Sequence, residues 1–139
     1  MEHALELTET QQMIQETVRD FAEEVVKPKA RELDEKGEFS METFKKLAEL
    51  GLTGIPIPEE FGGAGADPLS YILAIEEISK VCGSTALGLA AHTSLGTMPI
   101  VLFGSEELKK KYVPSNAAGE TIGSYGLTEP GAGSDSGGT

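Results

Sequence analysis

The chain has 139 residues, 39% of them hydrophobic, with 23 acidic against 11 basic side chains and a formal net charge of -12. That length supports one domain with one core, and the acidity argues against a DNA or RNA partner, which needs a basic footprint on phosphates. It leaves room for a phosphate-bearing cofactor, because backbone N–H groups can cradle an anion inside an acidic protein.

The N-terminus, from Met1 to Glu6, is acidic and shows neither an apolar signal core nor an Arg-rich transit pattern. The single cysteine, Cys82, allows no intramolecular disulfide and signals no oxidising compartment. No apolar run is expected to reach membrane-spanning length. The simplest expectation is a cytoplasmic protein with no membrane span.

Thr8 followed by Gln11 is a capping-box signature. Ile14, Val18, Phe21 and Val25 then share one helical face. Pro28 is expected to bend or interrupt this helix, and Gly37 to close the polar stretch after it. A second helix starts near Ser40, carries Phe44, Leu47, Ala48 and Leu50, and stops at Gly51. The run Gly54-Ile55-Pro56-Ile57-Pro58 through Phe61-Gly62-Gly63 reads as an extended loop.

Asp67-Pro68 caps a third helix, whose Ile72, Leu73, Ile75, Ile78 and Val81 point to a central position, with Gly83 as its end. Thr85 to Leu95 is small and apolar, the pattern of a tightly packed, buried helix. Pro99 to Phe103 and Ser105 to Tyr112 read as two short helices, the second capped by Ser105. After Pro114 the composition changes, and Thr121 to Thr128 reads as a strand followed by a Gly- and Ser-rich stretch. The fold class is therefore all-α with the first strand of a β domain attached: a helical domain over 1–118, then the opening of a sheet over 119–139. A lone terminal strand has no partner here.

Candidate chemistry gathers in Tyr125-Gly126-Leu127-Thr128-Glu129-Pro130-Gly131-Ala132-Gly133-Ser134-Asp135. Glycines at 131 and 133 let backbone N–H groups approach an anion, and Ser134 can add a hydroxyl donor. The spacing is neither a dinucleotide fingerprint nor a P-loop, and Ala132 rules out a nucleophile elbow. From composition alone, a phosphate cradle and a plain Gly/Ser turn both remain open. Glu129 reads as a loop carboxylate rather than a base, and His92 as a packing histidine. Cys82 reads as a small buried hydrophobe, and no metal-ligand pattern is present.

The whole string is more specific than its composition. Leu127 through Asp135 resembles the signature segment of the acyl-CoA dehydrogenase family. Pro58-Glu59-Glu60-Phe61-Gly62-Gly63, Ala91-His92-Thr93-Ser94-Leu95-Gly96 and Phe103-Gly104-Ser105-Glu106-Glu107 resemble further landmarks of that family, closest to its short-chain branch. One departure is Ser115-Asn116, where the family usually carries a Leu after Pro114.

The resemblance implies the N-terminal helical domain of that fold, FAD as cofactor, and α,β-desaturation of an acyl-CoA thioester with electron-transfer flavoprotein as acceptor. It further implies a homotetrameric full-length enzyme whose catalytic glutamate lies beyond Thr139, so that no catalytic residue is expected in this chain. Tyr125, Gly126, Leu127 and Thr128 would run along the flavin. Gly133 and Ser134 would meet its pyrophosphate, Ser134 also the CoA side of the substrate, and Leu95 the acyl-tail pocket. A related acyl-CoA oxidase and a non-enzymatic helical interaction module are the alternatives.

Overall fold

In the computed structural model, which describes residues 6–138, Thr8 opens the first helix with both halves of its capping box. The Thr8 hydroxyl accepts from the Gln11 amide at 3.3 Å, and the Gln11 side chain accepts from the Thr8 amide at 2.9 Å. The expectations placed on the first five residues and on Thr139 lie outside the described residues. Helix α1, Glu9–Phe21, runs through a widened π turn, Ala22–Val26, into α2, Lys27–Lys36. Pro28 therefore does not interrupt the helix. In the π turn Lys27 N–H reaches back five residues to the Ala22 carbonyl, at the place where an α-helix would press the proline ring against the preceding turn.

Gly37, at φ 64°, closes α2 as expected. Ser40 caps α3, Met41–Glu49, by accepting from the Thr43 amide at 3.1 Å. Gly51 turns left-handed at φ 72°, and the loop after it folds back with Leu52, Ile55, Ile57 and Phe61 buried. Asp67 caps α4, Pro68–Ser79, accepting from the Leu69 and Ser70 amides.

Helix α4 lies against α1, and one buried carboxylate ties them together. Glu77 is 2% exposed; Arg19 grips both its oxygens at 3.1 and 3.2 Å, and Gln15 and Lys80 add bonds of 2.9 Å. The Arg19 hydrogen bond, opposed by desolvation and aided by Lys80, holds the Glu77 carboxyl down to about 2. Apolar packing does the rest: Val18, Phe21, Phe44, Leu47, Ile78 and Leu89 form the main core, and Ile57, Phe61, Val113 and Ala117 a smaller one. Each fully buried aliphatic side chain contributes about 1.5–3 kcal/mol.

Four expectations need correction. Gly83 does not end α4; it opens α5, Gly83–Ala90, which continues through a π segment, Ala91–Thr97, into α6, Met98–Phe103. That continuous helix is not buried all round: Ala86, Leu89, His92 and Thr93 face inward, whereas Leu87 and Leu95 lie exposed, as does Ile72 on α4. Its 21 residues carry no charge and have a mean hydropathy of 1.5, so by length and composition alone this run could cross a membrane. Finally, α7, Glu106–Ala117, runs through Pro114, which costs one hydrogen bond close to the end of the helix.

Helix α7 closes on Gly119, at φ 66°, with the Glu120 and Gly119 amides returning to the Ser115 and Asn116 carbonyls. From 122 to 128 the chain beyond it runs without helix, turn or bend. No paired strand forms among the described residues, so the strand expected over 121–128 is not seen there, and one isolated bridge joins Glu129 to Ala132. The physical reason is the missing neighbour: a strand takes its hydrogen bonds from another strand.

Candidate functional site

The π segment, Ala91–Thr97, aims polar groups inward at the foot of the extended tail. His92, Thr93 and Thr97 are fully buried, and each hydroxyl has a partner: Thr97 Oγ1 donates to the His92 carbonyl at 2.9 Å and Thr93 Oγ1 to the Thr53 carbonyl at 3.5 Å. The Gly123 amide donates to His92 Nδ1 at 2.9 Å, and His92 Nε2 lies 3.1 Å from the Asn116 carbonyl. Phe44 packs edge-on against the imidazole, with ring centroids 5.3 Å apart. Burial pushes the His92 pKa below its ordinary value, so the ring stays neutral. His92 is thus a satisfied interior histidine, as expected, but one that holds the tail.

Asn116 completes the arrangement. Its Nδ2 donates to Thr97 Oγ1 at 3.2 Å, and its Oδ1 accepts from the Thr121 hydroxyl at 2.6 Å. Asn116, Thr97, Thr121, Gly96 and Gly123 were not singled out from the sequence. The one available signal was Ser115-Asn116 standing where the family usually has Leu.

The signature residues themselves project from this foot into the open. Tyr125 is 55% exposed, Thr128, Glu129, Gly133 and Ser134 are exposed, and Leu127 is half-buried. From Ser124 to Thr128 no backbone group is hydrogen-bonded among the described residues, and the Thr128 and Ser134 hydroxyls have no partner there. A Cβ on Gly126, Gly131 or Gly133 would meet nothing within 4 Å. Nothing among the described residues requires glycine at these places.

This donor set fits the edge of a polar heteroaromatic ring: neutral N–H and O–H groups on an unpaired edge, with glycines that leave room for close approach. It would bind an anion through dipoles alone, since residues 112–139 contain no Lys or Arg while Glu129 and Asp135 are acidic. Leu95 sits in the segment that grips Gly123, which brings it to the root of the tail without a direct partner among the signature residues. A cleft of about 660 Å³ lies elsewhere, between Arg31, Asp34, Phe39 and the Cys82–Thr85 turn, and includes no signature residue. Among the described residues no group of three or more His, Cys, Asp or Glu side chains gathers as a metal site.

The model of the acyl-CoA dehydrogenase N-terminal domain matches residues 8–120. The chain belongs to the acyl-CoA dehydrogenase family. It is 56% identical over 134 residues to a probable acyl-CoA dehydrogenase of Bacillus subtilis, covering 96% of this chain and 35% of that one. It is 55% identical over 131 residues to the short-chain-specific acyl-CoA dehydrogenase of Clostridium acetobutylicum, covering 94% and 35%. Among solved structures, butyryl-CoA dehydrogenase from Megasphaera elsdenii superposes with a TM-score of 0.90 at 40% identity, over 97% of this chain and 36% of that chain. Acyl-CoA dehydrogenase complexed with FAD from Bacillus anthracis gives 0.89 at 44%, over 96% and 23%. A chain in the structure of the electron transferring flavoprotein of Acidaminococcus fermentans gives 0.91 at 46%, over 96% and 35%. The chain spans about a third of the length of its curated relatives, and the helical part matches the N-terminal helical domain of the family fold.

Proposed function

We propose that the complete protein is an FAD-dependent dehydrogenase that desaturates short-chain acyl-CoA thioesters at the α,β position, and that this chain contributes its N-terminal helical domain and one edge of the flavin site. The carrying observation is the run from Ser124 to Ser134: the amides from Ser124 to Thr128 and the Thr128 and Ser134 hydroxyls have no partner among the described residues, and Gly126, Gly131 and Gly133 are not needed for packing there. Relatives described as acyl-CoA dehydrogenases, one of them short-chain specific, and a solved relative with FAD support the same reading.

When bound, FAD supplies acceptance of the β-hydrogen as hydride. This chain's residues bind and orient. The Thr128 hydroxyl and the amides near Leu127 hydrogen-bond the ring edge, with Tyr125 and Gly126 alongside. Gly133 and Ser134 meet the pyrophosphate, and Ser134 also the CoA side of the substrate. Leu95 lines the acyl-tail pocket.

The carboxylate that removes the α-proton belongs to the part of the family's length that this chain does not span, since a base must reach its proton within hydrogen-bonding distance. The domain boundary falls at Gly119. The exposed Leu87, Leu95, Leu102 and Phe103 are covered by the remainder of a homotetrameric enzyme, so the uncharged helix is an internal one and not a membrane span. An electron-transfer flavoprotein is the acceptor, supported by the likeness to a chain in such a protein's structure. The test is direct: the purified complete protein should be yellow and bleach when mixed anaerobically with butyryl-CoA. A protein that takes up no FAD, or whose flavin stays oxidised with every short acyl-CoA, overturns the reading.

A further inference from the structure

The tail leaves the helical body through one fixed point. A backbone N–H can only donate, so the bond from the Gly123 amide requires His92 Nδ1 to be unprotonated. The ring proton therefore sits on Nε2, which donates to the Asn116 carbonyl. Asn116 bonds Thr97 and Thr121 through its side chain, and Thr97 returns to the His92 carbonyl. No nitrogen or oxygen of the His92 and Asn116 side chains is left unpaired.

A second restraint acts at the same residue. Gly96 and Gly123 cross in backbone contact: a Cβ on Gly96 would lie 2.3 Å from the Gly123 carbonyl carbon, and one on Gly123 would lie 3.0 Å from the Gly96 Cα. The chain is thus pinned sideways by two glycines and lengthwise by one hydrogen bond. Beyond it the chain runs without helix, turn or bend as far as Thr128, about 16 Å on at strand rise. In extended chain a one-residue slip turns every side chain to the opposite face. The pin at Gly123 therefore decides which face presents Ser124, Gly126 and Thr128.

We propose that His92, in its Nε2–H form and locked by Asn116, is a positioning residue that sets the register of the signature segment. Its consequence for the cofactor rests on the flavin-facing reading above, whereas the clamp itself does not. His92→Asn keeps an acceptor near Nδ1 for the Gly123 amide; His92→Leu removes it. In this chain the Gly123 amide should exchange with solvent on the order of a hundredfold more slowly than the Gly126 amide. His92→Leu should abolish that difference and displace the amide resonances from Ser124 to Thr128 while leaving α1–α4 in place, and His92→Asn should restore most of both.

In the complete protein His92→Leu should shift the visible flavin band and weaken FAD binding roughly tenfold, with rescue by His92→Asn. If His92→Leu does not fold, Gly96→Ala attacks the same crossing and leaves no buried polar group unpaired; the same two changes are expected. Equal exchange at Gly123 and Gly126 in the parent overturns the proposal. So does a His92→Leu or Gly96→Ala protein whose tail resonances and flavin band both match the parent. A complete protein that binds no flavin refutes the functional reading alone, and the exchange at Gly123 still decides the clamp.

Discussion

Between Glu9 and Ala117 the helices close their ends from within: Thr8, Ser40, Asp67 and Ser105 cap amides, and Gly37, Gly51 and Gly119 turn the chain away. From Ser124 to Thr128 no backbone group finds a partner among the described residues. The first region spends its polar groups on its own stability, and the second leaves them available. The two meet at Gly123, the last residue of the tail whose amide the helical body holds. Substitutions should separate them cleanly: changes in the body should alter stability, and changes in the tail should alter what binds.

The largest effect is expected in the main core. Leu47 of α3 is fully buried in the main core, so Leu47→Ala should lower unfolding free energy by roughly 2–5 kcal/mol through lost burial and a cavity. Chemical denaturation measures it. A loss below about 1 kcal/mol would mean the helical body is not packed as described.

Next comes Gly119, where the body hands over to the tail. At φ 66° an L-residue is strained, and a Cβ there would lie 2.3 Å from the Ala48 Cβ. Gly119→Ala should cost about 1–3 kcal/mol, measurable in the same denaturation experiment. It should also loosen the Thr121–Gly123 contacts, linking the two regions at their seam.

How much of this was readable beforehand divides along the same line. Caps at Thr8, Ser40, Asp67 and Ser105 and stops at Gly37 and Gly51 were legible because they are local: the residue that makes the bond lies within three of the residue that needs it. The π turns were not, although each ends two residues before a proline, Pro28 in one case and Pro99 in the other, because a proline reads as a break rather than as a widened turn that absorbs it. Gly83 was misjudged for a related reason, since glycine serves a helix start as readily as an end. The apolar residues Ile72, Leu87 and Leu95 suggested burial all round, yet each is at least half exposed, because hydrophobicity does not say which side of a helix has a neighbour. The signature was legible as a string and through its likeness to a family, while its anchor, made by His92 and Gly96 of the π segment with Asn116 of α7, left no trace beyond the departure at Ser115-Asn116.

A smaller effect should appear in acid. Glu77 is held at about 2 against an ordinary carboxyl value of 4.5. Folding therefore favours its charged form, so its stabilisation is complete above about pH 4.5 and is lost as pH falls toward 2. With Arg19 and Lys80 each half exposed, solvent screening reduces the contribution to roughly 1–2 kcal/mol. Glu77→Gln should flatten this part of the stability–pH curve. An unchanged acid slope would show that the α1–α4 tie carries no net stability.

The smallest effect on the fold, and the most telling one for function, belongs to Thr128. Its side chain is exposed and has no hydrogen-bond partner among the described residues, so Thr128→Val removes no hydrogen bond among them. The isosteric swap keeps the β-branch that suits extended backbone, and unfolding free energy should change by less than about 0.5 kcal/mol. On the function proposed above, the same substitution in the complete protein deletes a donor to the flavin edge. FAD affinity should then fall by roughly 0.5–1.5 kcal/mol, the range for one neutral hydrogen bond, with a shift of the visible absorption band. Isothermal titration of the apoprotein with FAD reads the first quantity and a spectrum of the loaded protein the second. A stability loss of several kcal/mol with unchanged flavin binding would reverse the division of labour between body and tail. Thr128 would then be a packing residue, and the polar groups left open between Ser124 and Ser134 would need a different occupant.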